Sequence, residues 1–111
     1  MNWILLVGAA LNLAGAVQFL VVERRITNGE LALFKWFTAG AATTFAWLYL
    51  FLYWHTGYVH PFLYFGAALK TWAFVIALVL LLRREVSARR FAEFGATNGL
   101  VAIGFWTYLA T

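Results

Sequence analysis

The sequence predicts an all-α fold, an integral membrane four-helix up-down-up-down bundle, and three observations predict it. Hydrophobic residues make up 65% of the chain and charged residues 11%, whereas roughly a quarter of the residues in soluble proteins are charged. Four apolar stretches each reach the length of about 20 residues that a bilayer crossing needs. The connections between them are short, which makes consecutive helices antiparallel neighbours. With 111 residues, the crossings use most of the chain, so one domain spans residues 1–111 and no room remains for a catalytic domain outside the bilayer.

The first predicted helix covers residues 3–22 and stops at Glu23-Arg24-Arg25. Ala14-Gly15-Ala16 resembles a signal cleavage site, but no Lys or Arg precedes the apolar stretch, so a retained helix is expected. Asn28 and Gly29 punctuate the turn before the second helix, residues 31–54. Lys35 lies near enough to the end of that helix to snorkel, and is expected to be an anchor. His55 and His60 bound the second loop, and Pro61 is expected to open the third helix, residues 61–82, at the position where its missing N–H is not needed. A loop with Arg83, Arg84, Glu85, Arg89 and Arg90 leads to the fourth helix, residues 91–110.

Charge sets the expected orientation. Of the eight Lys and Arg residues, Arg24, Arg25, Lys35, Arg83, Arg84, Arg89 and Arg90 fall in or beside the first and third loops, and the second loop has none. By the positive-inside rule the first and third loops face the cytoplasm, and both termini face outward. Trp3, Tyr53, Trp54, Tyr58 and Tyr108 then form an aromatic belt at the outer boundary, with Trp36 at the inner one. The arginines of the third loop, Arg83, Arg84, Arg89 and Arg90, offer a surface for anionic lipid head groups or an acidic partner. Nothing in the pattern calls for nucleic acid.

Lys70 is the most informative single residue, because an ionisable side chain in the middle of an apolar span marks a functional site by default. Asn12 lies nine residues after Trp3 and Lys70 nine after Pro61, so each sits about 13 Å below the outer boundary at helical rise. Thr43, Thr44 and Asn98 fall near the same depth. A midplane polar layer of Lys70, Asn12, Asn98, Thr43 and Thr44 is therefore expected, either as a staple or as a binding site. Gly8, Gly40 and Gly66 each precede a polar member by four residues, and Gly95 and Gly99 flank Asn98. Residues four apart share a helix face, and small residues on such faces let membrane helices approach closely.

Several chemistries are disfavoured. The chain has no cysteine, which removes disulfides, thiolate metal sites and cysteine nucleophiles. His55 and His60 could ligate haem or a metal, but with no third ligand beside them they are read as interfacial polar residues, and no metal or cofactor is expected. A Schiff-base pigment on Lys70 lacks a counter-ion.

The motifs Gly8-Ala9-Ala10-Leu11-Asn12, Gly66-Ala67-Ala68-Leu69-Lys70 and Asn98-Gly99-Leu100 resemble those of a loose group of small uncharacterised bacterial four-helix membrane proteins. Members of that group read Gly-Ala-x-x-Asn, Gly-Ala-x-x-Lys and Gly-Asp. The resemblance implies the fold and a polar trio, but no activity; the bacterial inner (cytoplasmic) membrane is the expected location. Asn98 stands near the place of the group's acid, which leaves Lys70 without that counter-ion. Small multidrug transporters have similar length and helix count, but they use a first-helix glutamate where this chain offers only Asn12 and Gln18, which argues against cation export. Two functions remain as expectations. The preferred one is a non-enzymatic accessory or interaction subunit packing its aromatic-rich faces against a larger membrane complex, with Lys70 either stapling the bundle or meeting a partner's acid. The other is a small oligomeric transporter or channel for an anion, proton or neutral solute that uses the Lys70 layer.

Overall fold

The computed structural model describes residues 2–23 and 29–111. Its described residues are helical almost throughout. Helix α1 is Trp3–Val22, α2 is Gly29–Trp54, and α3 is Val59–Leu82, entered through a 3-10 turn at Thr56–Tyr58. The last helix, α4, starts as one turn at Ala88–Arg90, widens to π-helical winding over Phe91–Ala96, and continues as α-helix over Thr97–Ala110. Two segments, Trp3–Val22 and Thr56–Leu82, are long and apolar enough to cross a membrane. The expected arginines Arg24 and Arg25 and the turn residue Asn28 lie outside the described residues.

Helix ends follow local chemistry. Gly29 opens α2 at φ +77°, a left-handed conformation that suits a residue without Cβ. Glu30 then puts negative charge in the first turn, where the helix dipole favours it. Pro61 is the third residue of α3, not its first as expected. It still falls within the first turn, where backbone N–H groups have no helical partner to lose. The end of α3 is closed by Glu85 N–H donating to Leu80 O at 2.8 Å and Arg84 N–H to Leu81 O at 3.0 Å, the paired bonds of a Schellman cap. That cap places Arg84 at φ 61°. Ser87 caps α4, its Oγ accepting from Arg90 N–H at 3.1 Å.

Helix α1 packs along α2, and α3 along α4; these two pairs are the most extensive interfaces. The contacts run in opposite directions in both pairs. Asn12 meets Ala42 while Gly8 lies against Tyr49; Ala77 lies against Gly95 while Thr71 meets Trp106. The hydrophobic core that joins the pairs lies toward one end of the bundle, around Leu5, Tyr49, Leu52, Leu63, Val101 and Phe105. This end also carries Trp3, Trp54 and Tyr58, and is called the aromatic end below; the opposite end carries the Arg83–Arg90 segment and is called the basic end.

The outside of the bundle is apolar. Val17, Phe37, Trp47, Phe65, Trp72, Leu100 and Ile103 are all exposed, Trp47 by 74%. Large apolar side chains thus project from every helix, and no helix has the polar outer face of a soluble bundle. Lys35 was expected to reach outward as an anchor but is buried, with its ammonium 5.5 Å from the Trp36 ring centroid. The charge rests over an aromatic face, a favourable arrangement for a cation.

Candidate functional site

Lys70 and Asn12 meet in the interior. Both are buried, at 6% and 7% exposure, and Lys70 Nζ donates to Asn12 Oδ1. Asn12 Nδ2 donates in turn to Ala42 O of α2 at 3.0 Å. One amide thereby ties α1 to both α2 and α3. A buried amide with both ends bonded is a stable arrangement, since a lone buried polar group is costly. The lysine is less complete. Its ammonium has three donors, of which Asn12 takes one, and among the described residues it forms no ion pair.

The other expected members of the layer do not join it. Thr43 Oγ1 donates to Ala39 O at 2.9 Å and Thr44 Oγ1 to Gly40 O at 2.8 Å, each within its own helix, and both threonines are exposed. Hydroxyls on helices commonly bond back in this way. The shared depth was correct, but their direction around the helix axis turns them outward. Asn98 donates to Phe94 O at 2.7 Å in its own helix and lines the same cavity as Lys70 without bonding it. The expected five-member layer is thus a Lys70–Asn12 pair with Asn98 on a nearby wall.

Below the pair, toward the basic end, lies a cleft of about 390 Å³ open to the outside. Its walls come from all four helices. Small and apolar side chains such as Leu11, Ala39, Leu69, Ala73 and Phe94 make up most of its surface, with Lys70 and Asn12 at its inner end. Glu23, Arg90 and Glu93 stand at the mouth. Gln18 Nε2 reaches Glu93 Oε2 across this mouth at 3.4 Å, and Arg89 Nε lies 3.0 Å from Glu93 Oε1. Glu93 sits in the π-wound segment of α4, a type of winding that recurs at functional sites.

Above the pair, Tyr49 seals the bundle. It is fully buried, packs edge-on to Phe105 with ring centroids 4.9 Å apart, and lies 6.0 Å from Lys70 Nζ. Gly8 and Gly66 make room for it. A Cβ on Gly66 would stand 2.6 Å from Tyr49 Cε1, and one on Gly8 would stand 2.6 Å from Phe105 Cζ and 3.3 Å from Tyr49 Cδ2. The Tyr49 hydroxyl has no hydrogen-bond partner among the described residues. Sequence reasoning missed Tyr49, although Gly8 and Gly66 signalled that something large lay between them. Gly40 has nothing within 4 Å of its Cβ position, so it is not the packing glycine expected. Gly95 and Gly99 do pack, against Ala77 and Phe74 of α3 respectively.

The remaining candidates lie apart from the cleft. His55 Nδ1 is 3.0 Å from Phe51 O and its ring stacks on Phe51, while His60 is exposed near the start of α3. No group of three or more His, Cys, Asp or Glu side chains suited to a metal ion occurs among the described residues. Arg83, Arg84, Arg89 and Arg90 are exposed, with Arg83 paired to Glu85 at 3.0 Å. No family model, no curated protein and no solved structure matches this chain.

Proposed function

We propose that this chain is a multi-pass protein of a cytoplasmic membrane that works as a small carrier or channel for an anion, a proton or a neutral solute. The cleft that ends at Lys70 carries the reading. An open cleft reaching a buried ammonium is a costly feature for a bundle that needs only to hold together, and intramembrane lysines mark solute paths. The apolar exterior supports placement in lipid, and the long dimension of 41 Å exceeds the hydrocarbon thickness of about 30 Å.

In this reading all four helices cross in up-down-up-down order. The exposed arginines hold the basic end at the anionic cytoplasmic surface, both termini face outward, and the cleft opens inward. Tyr49 blocks the outer half, so flux requires the two helix pairs to move relative to one another or a second copy to complete the path. The reading assigns no catalytic step. Reconstituted in liposomes, the wild-type protein is expected to pass a small solute down its gradient, and Lys70→Met to lose that flux while remaining folded. Equal flux from the two proteins would end the proposal.

A second reading is favoured by a separate observation. Trp36, Phe37, Trp47 and Trp72 are each at least 60% exposed, and large aromatic side chains are enriched at protein interfaces. An accessory subunit lying against a larger membrane complex would cover them. Extraction in mild detergent followed by native mass spectrometry would then give a heteromeric mass, and a monomer or homo-oligomer alone would count against it.

A further inference from the structure

We infer that the cleft binds a monocarboxylate with an apolar body, its carboxylate at Lys70 and its body along the alanine-rich walls. The inference rests on the carrier reading and names the solute class for the same site.

Lys70 fixes the head group. It is buried, and Asn12 Oδ1 occupies one of its three donors. Asn12 spends one of its two N–H donors on Ala42 O and its Oδ1 on Lys70, which leaves it one neutral N–H beside the ammonium. The open chemistry at the inner end is therefore a set of cationic N–H donors with no carboxylate of this chain in ion-pair contact among the described residues. An anionic oxygen answers both the charge and the donors. Charge balance selects a monoanion, since a dianion such as a phosphate monoester set against one ammonium would leave net charge in an apolar site. A carboxylate also fits in size, accepting two donors from one side in bonds strengthened by charge.

The walls fix the body. Leu69, Ala73, Phe94 and Val101 line the cleft beside Lys70, so a hydrophilic anion such as acetate or lactate would leave these surfaces wet or empty. A volume of about 390 Å³ lies within the range for small-molecule pockets, which are mostly apolar with a few placed polar groups.

Two sources supply this chemistry: a short-chain acid dissolved in water, or a long-chain acid partitioned in the bilayer. The test uses the protein in discs of zwitterionic lipid, with empty discs as blank, and measures binding of radiolabelled octanoate. Saturable binding is expected, with unlabelled octanamide competing roughly tenfold or more weakly than octanoate, because the amide lacks the charge that a buried cation rewards. Lys70→Met is expected to abolish binding. Ala73→Phe, which fills the cleft without altering its charge, is expected to weaken it. Displacement by oleate supports the inference and assigns the source to the bilayer; octanoate binding that oleate leaves intact supports it and assigns the source to water.

Equal competition by octanamide in the wild-type protein, or no binding above the blank, overturns the inference even if Lys70→Met fails to fold. Absent octanoate binding together with Lys70-dependent flux of another solute overturns the inference alone. Octanoate binding with flux indifferent to Lys70→Met removes the carrier reading and leaves a binding site.

Discussion

The two ends of this bundle use the same kind of residue to opposite effect. At the aromatic end, Gly8 and Gly66 admit Tyr49, which meets Phe105 and closes the interior completely. At the basic end, Ala14, Gly15, Ala39 and Ala42 are also small, but no large side chain among the described residues fills the space between them, and a cleft remains. Small residues therefore do not by themselves bring helices together. They remove volume, and whether the volume closes depends on a bulky partner from a facing helix. The Lys70–Asn12 pair lies at the boundary between the two regimes, where one side is packed and the other is open.

This contrast is broken most directly by placing one methyl group at each of four glycines. In the sealed half, Gly8→Ala and Gly66→Ala put a Cβ within 2.6 Å of an aromatic ring that is itself confined. Overpacking of this kind typically costs about 1–3 kcal/mol. Gly15 on the wall of the cleft and Gly40 on the exposed face of α2 have nothing within 4 Å, and alanine there is expected to stabilise by about 0.5–1 kcal/mol through helix propensity. Unfolding of the four purified variants in one detergent is the measurement. Opposite signs at the two ends are expected, and the same sign at all four positions would mean that the two halves are not packed differently.

What the sequence revealed, and what it withheld, follows the same line. Helix limits were legible because charged residues bound the apolar stretches: α1 ends at Val22 before Glu23, and α3 at Leu82 before Arg83. The Lys70–Asn12 contact was legible as well, since both residues lie at the same rise from a helix start and each follows a glycine by four. Depth along an axis, however, carries no direction around it. Thr43 and Thr44 shared the depth and turned outward, onto Ala39 O and Gly40 O. Tyr49 was hidden for a different reason. As an aromatic residue near the end of an apolar span it resembles any belt residue, and only the facing positions of Gly8 and Gly66 reveal its role. The cleft was the least legible feature, because it arises from the separation of two helix pairs, and the π winding of Phe91–Ala96 that shapes its mouth has no simple residue pattern.

The smallest expected effect sharpens the boundary between the halves. Tyr49→Phe removes a hydroxyl that is buried without a partner among the described residues, while keeping the ring that packs on Phe105 and lies near Lys70. Deleting an unsatisfied buried group removes its desolvation cost, so the variant is expected to be as stable as wild type or more stable by up to about 1 kcal/mol. A loss of more than about 1 kcal/mol in the same unfolding measurement would show that the hydroxyl makes a bond in the working protein. Lys70, whose ammonium lies 6.0 Å from this ring, would then be the residue to examine. The seal and the floor of the cleft would be one polar unit instead of two neighbouring features, and a change at Lys70 would be felt directly at the residue that closes the aromatic end.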